Sequence, residues 1–291
     1  MNKQLLASLV APVLAGAMAF PGFNAETAEP RHDSPASSQR QPTPPPPWDP
    51  EQKVPEAEAN EAYESAAANG QIDVTGFLDT IVQDADQVWT DFFNRSDYLV
   101  EPFVTAHYVG TSSEPTYTMR CGGGVLVDAD HPNAYYCETG QGDIILPVNT
   151  FAKIWQGEFF RKAPKKTGDF AAAVVVAHEF GHHVQDEIFK QYNAKGVPLP
   201  DLHPDDENEE LIADCFSGIW AFTAYNRGWL DETDYPEAIA SLREIADPPG
   251  ASSHGDPDER QAAFELGITT GEPNRCIVSY WPAAAVTLHL L

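Results

Sequence analysis

Two stretches of this sequence place ionisable residues on otherwise apolar helical surfaces, and they limit the possible folds more than any other feature. From Gly168-Asp169-Phe170 onward, Phe170, Val174, Ala177, Gly181, Val184 and Ile188 recur at helical spacing and form one stripe. The neighbouring face carries His178-Glu179-Phe180-Gly181-His182, a His-Glu-x-x-His pattern. Residues i and i+4 are stacked neighbours on a helix, so the two imidazoles can share one Zn²⁺. Glu179 then stands beside the metal, where it can take a proton from bound water. An unpaired His or Glu in a buried apolar helix would be costly, which favours a shared ligand over a bland core.

Catalytic zinc needs three protein ligands and an open fourth position. The second stretch supplies a candidate third ligand in Glu210-Leu211-Ile212-Ala213-Asp214. Glu210 opens a second apolar helix through Leu211, Ile212, Phe216, Ile219, Trp220 and Phe222, with Asp214 one turn further along the same face. Carboxylates at i and i+4 repel on an ordinary helix. The repulsion is relieved if Glu210 binds zinc and Asp214 accepts the N–H of a ligating His. The competing reading assigns both to the acidic run that starts at Asp205.

The 291 residues carry 17 Lys and Arg against 44 Asp and Glu, a formal net charge of -27. That balance argues against a nucleic-acid partner, which needs clustered cations on one face, and it suits solubility outside a cell. Met1-Asn2-Lys3 is a short positive start, Leu5 to Phe23 is uncharged, and Ala17-Met18-Ala19 has the small-x-small form of a signal-peptidase site. A membrane anchor is the rival reading, but Pro12, Gly16 and Pro21 make a poor spanning helix and no basic cluster follows. The expectation is a signal peptide over 1–19 and an exported chain, secreted or at the cell envelope, with no stable membrane span after cleavage. Residues 20–69 read as a Pro-rich, mostly disordered linker, with Pro42 and Pro44 to Pro47 at its centre.

A globular unit is expected over 70–291. Val74 to Phe93 has helical spacing. Phe103 to Val109, Gly124 to Val127, Ala134 to Cys137 and Ile144 to Val148 are short and β-prone, and from Phe151 the pattern is helical, with breaks at Pro164, Pro198 to Pro204, Pro248-Pro249 and Pro273. A small sheet followed by helices in one unit is an α+β fold, mainly helical, with the sheet preceding the His-Glu-x-x-His helix.

These residues carry a resemblance. Gly168-Asp169-Phe170, Ala177 to Gln185, and Glu210-Leu211-Ile212-Ala213-Asp214-Cys215-Phe216-Ser217-Gly218-Ile219-Trp220 closely resemble the neutral zinc metallopeptidases of bacteria. The likeness extends upstream to Tyr98, Pro102, Cys121-Gly122 and Tyr135-Tyr136-Cys137, and downstream to Ser253-His254-Gly255, Arg260 and Cys276, over roughly residues 72 to 280. It implies a zincin-like domain of the gluzincin kind that holds one Zn²⁺ per chain and hydrolyses peptide bonds in protein or peptide substrates. His178, His182 and Glu210 would be the ligands and Glu179 the general base. The Pro-rich tether and the acidic insert around Asp201 to Glu210 depart from the family pattern.

Four cysteines suit an oxidising compartment and allow three pairings. Cys121 and Cys137 bracket a short β segment, and a Cys215–Cys276 bond would brace the second zinc helix, so these two bonds are expected. His254 lies in Ser252-Ser253-His254-Gly255, ahead of a helix start at Asp256-Pro257, where Pro suits the first turn. The resemblance places a His-Gly there with Arg260 following, and His254 is expected to donate to the carbonyl oxygen as negative charge develops on it. Arg260 is expected to pair with an acidic residue and orient that loop. His183 points about 100° away from the ligands and reads as structural, while His32, His107, His131, His203 and His289 have no identified partners. Two functions remain: a zinc endopeptidase, or a zinc-stabilised binding or scaffold protein of the cell envelope with little turnover. The presence of Glu179 favours the enzyme, because a scaffold needs the ligands but has no use for the base.

Overall fold

The computed structural model describes residues 73–94, 99, 103–159, 168–200, 207–231, 233–248 and 254–290. The expected signal segment 1–19 and linker 20–69 lie outside the described residues, as do Tyr98, Pro102, Ser252 and Ser253. No helix among the described residues is long and apolar enough to cross a membrane.

Among the described residues, helix α1 (Val74–Asn94) comes first, followed by five short strands: β1 (Thr105–Val109), β2 (Thr116–Thr118), β3 (Leu126–Asp128), β4 (Tyr135–Cys137) and β5 (Asp143–Pro147). Seven further helices follow among the described residues: α2 (Val148–Trp155), α3 (Asp169–Ala194), α4 (Glu207–Asn226), α5 (Asp234–Ile245), α6 (Pro257–Thr270), α7 (Pro273–Tyr280) and α8 (Pro282–Thr287). The architecture is mainly helical α+β with the sheet ahead of α3, as the sequence pattern implies. Two local differences appear. Strand β2 is a short segment with no apolar alternation. Val148 opens α2 instead of closing a strand. Pro273 stands at the expected break between the end of α6 at Thr270 and the first turn of α7, where its missing N–H is no loss.

The three-stranded sheet has the order β1-β5-β4, with β1 parallel and β4 antiparallel to β5; β2 and β3 form a separate antiparallel pair. Strand β5 is buried along its whole length. Period-two alternation sends Ile144 and Leu146 into the main core with the helices, and Ile145 into a smaller cluster with Val109, Met119, Val127 and Cys137. The β2–β3 pair thus covers the outer face of the sheet, and β4 is left as the strand nearest α3.

Helix α3 is the central element, with residues buried on most of its sides. Its approach to α4 is set by Gly181: a Cβ there would lie 2.7 Å from the Ala213 carbonyl oxygen. The α4–α6 crossing depends on a glycine pair, because a Cβ on Gly218 would lie 2.2 Å from the Phe264 oxygen and one on Gly267 2.0 Å from the Cys215 oxygen. Only glycine permits backbones to approach this closely. Cys215 on α4 is bonded to Cys276 on α7, and Cys121 to Cys137. The two bonds close loops of 61 and 16 residues, worth about 4 and about 3 kcal/mol by chain-entropy arguments.

Candidate metal centre

His178 and His182 sit one turn apart on α3, and Glu210 lies in the first turn of α4, across the close contact at Gly181. Their side chains converge. His178 Nε2 is 3.1 Å from His182 Nε2 and 3.2 Å from Glu210 Oε2, and His182 Nε2 is 3.6 Å from Glu210 Oε1. Donors around a tetrahedral zinc with bonds of about 2.0–2.1 Å stand about 3.3 Å apart. The donor set therefore fits the ion in both chemistry and spacing: two imidazole nitrogens and one carboxylate.

The surroundings fix the ligand orientation. His178 Nδ1 donates to Asp214 Oδ1 at 2.8 Å, which leaves Nε2 as the lone-pair nitrogen facing the other donors. Asp214 is fully buried and is also held by Arg260 of α6, through Nε to Oδ2 at 2.7 Å and Nη2 to Oδ1 at 2.8 Å. Arg260 Nη2 is 4.0 Å from Glu210 Oε2. Arg260 pairs with an acidic residue as expected, Asp214, but the contact at His254 is made by Asp247 instead.

Burial works against charge on His178, but Asp214 and Glu210 outweigh it and raise the group to about 10. His182 lacks a carboxylate behind it, and burial holds it neutral, down to about 4. Burial also acts against the Glu210 and Asp214 carboxylates, yet His182 and His178 around the first and Arg260 and His178 around the second keep both well below the usual carboxylate range. Glu179 is different. Burial lifts it to about 7, with His178 opposing, and the Tyr136 backbone N–H on β4 faces it and favours its charged form.

These groups line a cleft of about 450 Å³. Tyr135 and Tyr136 of β4 border it, Phe151, Ile154 and Val175 give it an apolar wall, and Glu209, Asp247 and His254 complete its rim. His254 is about half exposed, with its backbone N–H on Asp247 Oδ2 at 2.8 Å and its Nδ1 3.3 Å from Asp247 Oδ1. It precedes α6, which begins with a capping box between Asp256 and Glu259. The histidines without assigned partners are now partly placed. His107 bonds Glu114 at 2.8 Å, lies 3.4 Å from Asp143 and stacks on Tyr117, while His131 contacts the Asn133 carbonyl. His32 and His203 lie outside the described residues.

Sequence reasoning missed the contacts of His183. It is fully buried, with Nδ1 3.4 Å from the Tyr136 hydroxyl. Glu179, His183, Asp186 and Lys190 follow one another at spacings of four, three and four, a stripe on α3 that faces β4. That spacing was the available signal.

The sequence profile described as "Putative neutral zinc metallopeptidase" matches residues 49–278. The chain belongs to that family. The Escherichia coli (strain K12) protein named "Uncharacterized protein YpfJ" is 32% identical over 127 residues, covering 38% of this chain and 43% of that protein. The Mycobacterium bovis "Uncharacterized protein Mb2605" is 31% identical over 134 residues, 38% of this chain and 44% of that protein. The chain thus spans less than half the length of the curated relatives it matches. No solved structure matches it. Family membership makes zinc the expected metal and peptides the expected substrates; the two disulfides are compatible with export.

Proposed function

We propose that this protein is an exported zinc endopeptidase that holds one Zn²⁺ on His178, His182 and Glu210, with Glu179 as general base. The observation that carries the reading is the convergence of three donors 3.1 to 3.6 Å apart, with a fourth side chain, Glu179, buried beside them and not needed as a ligand. Bound zinc would polarise the scissile carbonyl and acidify a water molecule. Glu179 accepts that water's proton on its carboxylate and returns it to the leaving amine. A carboxylate raised to about 7 is suited to both transfers near neutral pH. Asp214 and Arg260 hold the His178 ring with its Nε2 toward the cleft throughout. His254 donates an N–H to the carbonyl oxygen as negative charge grows there. An extended substrate lies along β4, the strand that borders the cleft.

His254→Ala should lower turnover about 10²–10³-fold, the usual cost of a lost donor to the developing oxyanion, with zinc content unchanged. Near-normal turnover would remove His254 from the mechanism. The overall reading is tested by metal analysis of purified protein together with cleavage of a broad peptide library. One zinc per chain and chelator-sensitive internal cleavage are expected. Stoichiometric zinc with no cleavage of any peptide would instead favour a zinc-stabilised scaffold.

A further inference from the structure

Strand β4 is fastened to α3 at three points along the Glu179, His183, Asp186, Lys190 stripe. The Tyr136 backbone N–H faces the Glu179 carboxylate and favours its charged form. The Tyr136 hydroxyl donates to Asp186 Oδ2 at 2.5 Å, and its oxygen lies 3.4 Å from His183 Nδ1. Beyond the strand, Lys190 Nζ bonds Asp186 at 2.6 Å and the Glu138 carbonyl at 2.8 Å. His183 Nδ1 can donate to the hydroxyl oxygen because the hydroxyl hydrogen is already on Asp186. Its Nε2 is buried and has no partner among the described residues, so it carries the lone pair of a neutral ring. The opposite side is closed as well: a Cβ on Gly142, at φ +96, would lie 2.8 Å from the Tyr136 hydroxyl and 3.2 Å from His183 Nδ1. The Tyr136 side chain therefore has little room to move.

We propose that Tyr136 is a positioning residue for Glu179. Its hydroxyl, pinned to Asp186 and His183, fixes β4 on α3 so that its backbone N–H presents a stationary donor to the carboxylate. The same contact sets the distance between the strand that would bind substrate and the group that would act on it. This inference rests on Glu179 as base, but the geometric part can be tested without turnover. It also gives His183 and Asp186 a purpose that the metal site alone does not require.

The test uses the full zinc-loaded chain with Tyr136→Phe, Asp186→Leu and Asp186→Asn. The first two each lose the hydroxyl bond, whereas the asparagine retains a carbonyl acceptor for it. Amide hydrogen exchange at residue 136 should speed up about 10-fold in Tyr136→Phe and Asp186→Leu, the scale of one lost hydrogen bond. Turnover should fall by a similar factor, about 10-fold, in kcat and much less in KM, because a misplaced base affects the reaction more than binding. Zinc content should stay at the wild-type level, and Asp186→Asn should recover most of what Asp186→Leu loses. Unchanged exchange or, in an active wild-type enzyme, unchanged kcat in Tyr136→Phe would overturn the proposal, as would an effect confined to KM. If the wild-type chain cleaves no peptide but exchange still responds as described, the positioning geometry stands and the peptidase reading fails.

Discussion

Two groups of carboxylates lie along α3, and the fold treats them in opposite ways. Near its middle, Glu210 and Asp214 are gathered with His178, His182 and Arg260, and both are held well below the usual carboxylate range. At its start, Asp169, Asp234 and Glu237 bring carboxylate oxygens within 4.8 Å of one another. Burial raises Asp234 to about 8, with Asp231, Asp169 and Glu237 adding repulsion and the Asp231 N–H opposing. Burial and Asp169 raise Glu237 to about 7, although it accepts bonds from the Phe170 and Ala171 N–H groups at the start of α3. Burial opposes charge in both groups, yet their carboxylates shift in opposite directions. What decides is whether cations and imidazoles are brought in with them. The first group is gathered with imidazoles and a guanidinium, whereas the second is pushed toward its protonated form where α5 meets α3.

The largest expected effect is at the ligands. His178→Ala, His182→Ala and Glu210→Ala should each abolish stoichiometric zinc, because two remaining donors no longer complete the set. Full zinc occupancy in Glu210→Ala would mean that the third ligand is elsewhere, with Asp214 the next candidate. A smaller effect is expected one layer out. Asp214→Ala removes the acceptor of the His178 N–H and should weaken zinc binding about 10–100-fold. Unchanged affinity would show that His178 is oriented without it.

The smallest effect concerns the acidic trio. A folded-state value of about 8 for Asp234, against about 3.9 in an unfolded chain, means that the folded protein keeps a proton the unfolded chain gives up. The stabilisation from this group is complete below about pH 4 and is lost as pH rises through about 8. Asp234→Asn keeps an acceptor for the Asp231 N–H and removes the titration. Thermal melts at saturating zinc should show wild-type stability falling from pH 5 to 9 more steeply than that of the variant. Parallel curves would mean that the trio is not protonated in the folded state.

How much of this was legible depends on distance along the chain. His178, Glu179 and His182 are neighbours on one helix, so spacing alone set their relation. Glu210 and Asp214 also share a helical face, and their repulsion pointed to partners. Arg260 was harder to place, because its bond to Asp214 spans 46 residues and requires the α4–α6 approach that Gly218 and Gly267 permit. The acidic trio was not legible either: Asp169 is far in sequence from Asp234 and Glu237, and only the docking of α5 brings them together. Strand β2 was missed because Thr116-Tyr117-Thr118 has no apolar residue to bury and both threonines are exposed. The α1 helix and the other four strands were visible from periodicity, with ends that shifted by one or two residues.

The central claim is that the convergent donors form a reacting centre and that Glu179 acts there without holding the metal. Glu179→Gln keeps the side-chain shape and an acceptor for the Tyr136 N–H, so metal content and peptide turnover of this one variant decide the matter. The account predicts one zinc per chain, as in the wild type, with turnover reduced about 10²–10⁴-fold, the usual contribution of a general base. Wild-type turnover in this variant, or loss of its zinc, would contradict it.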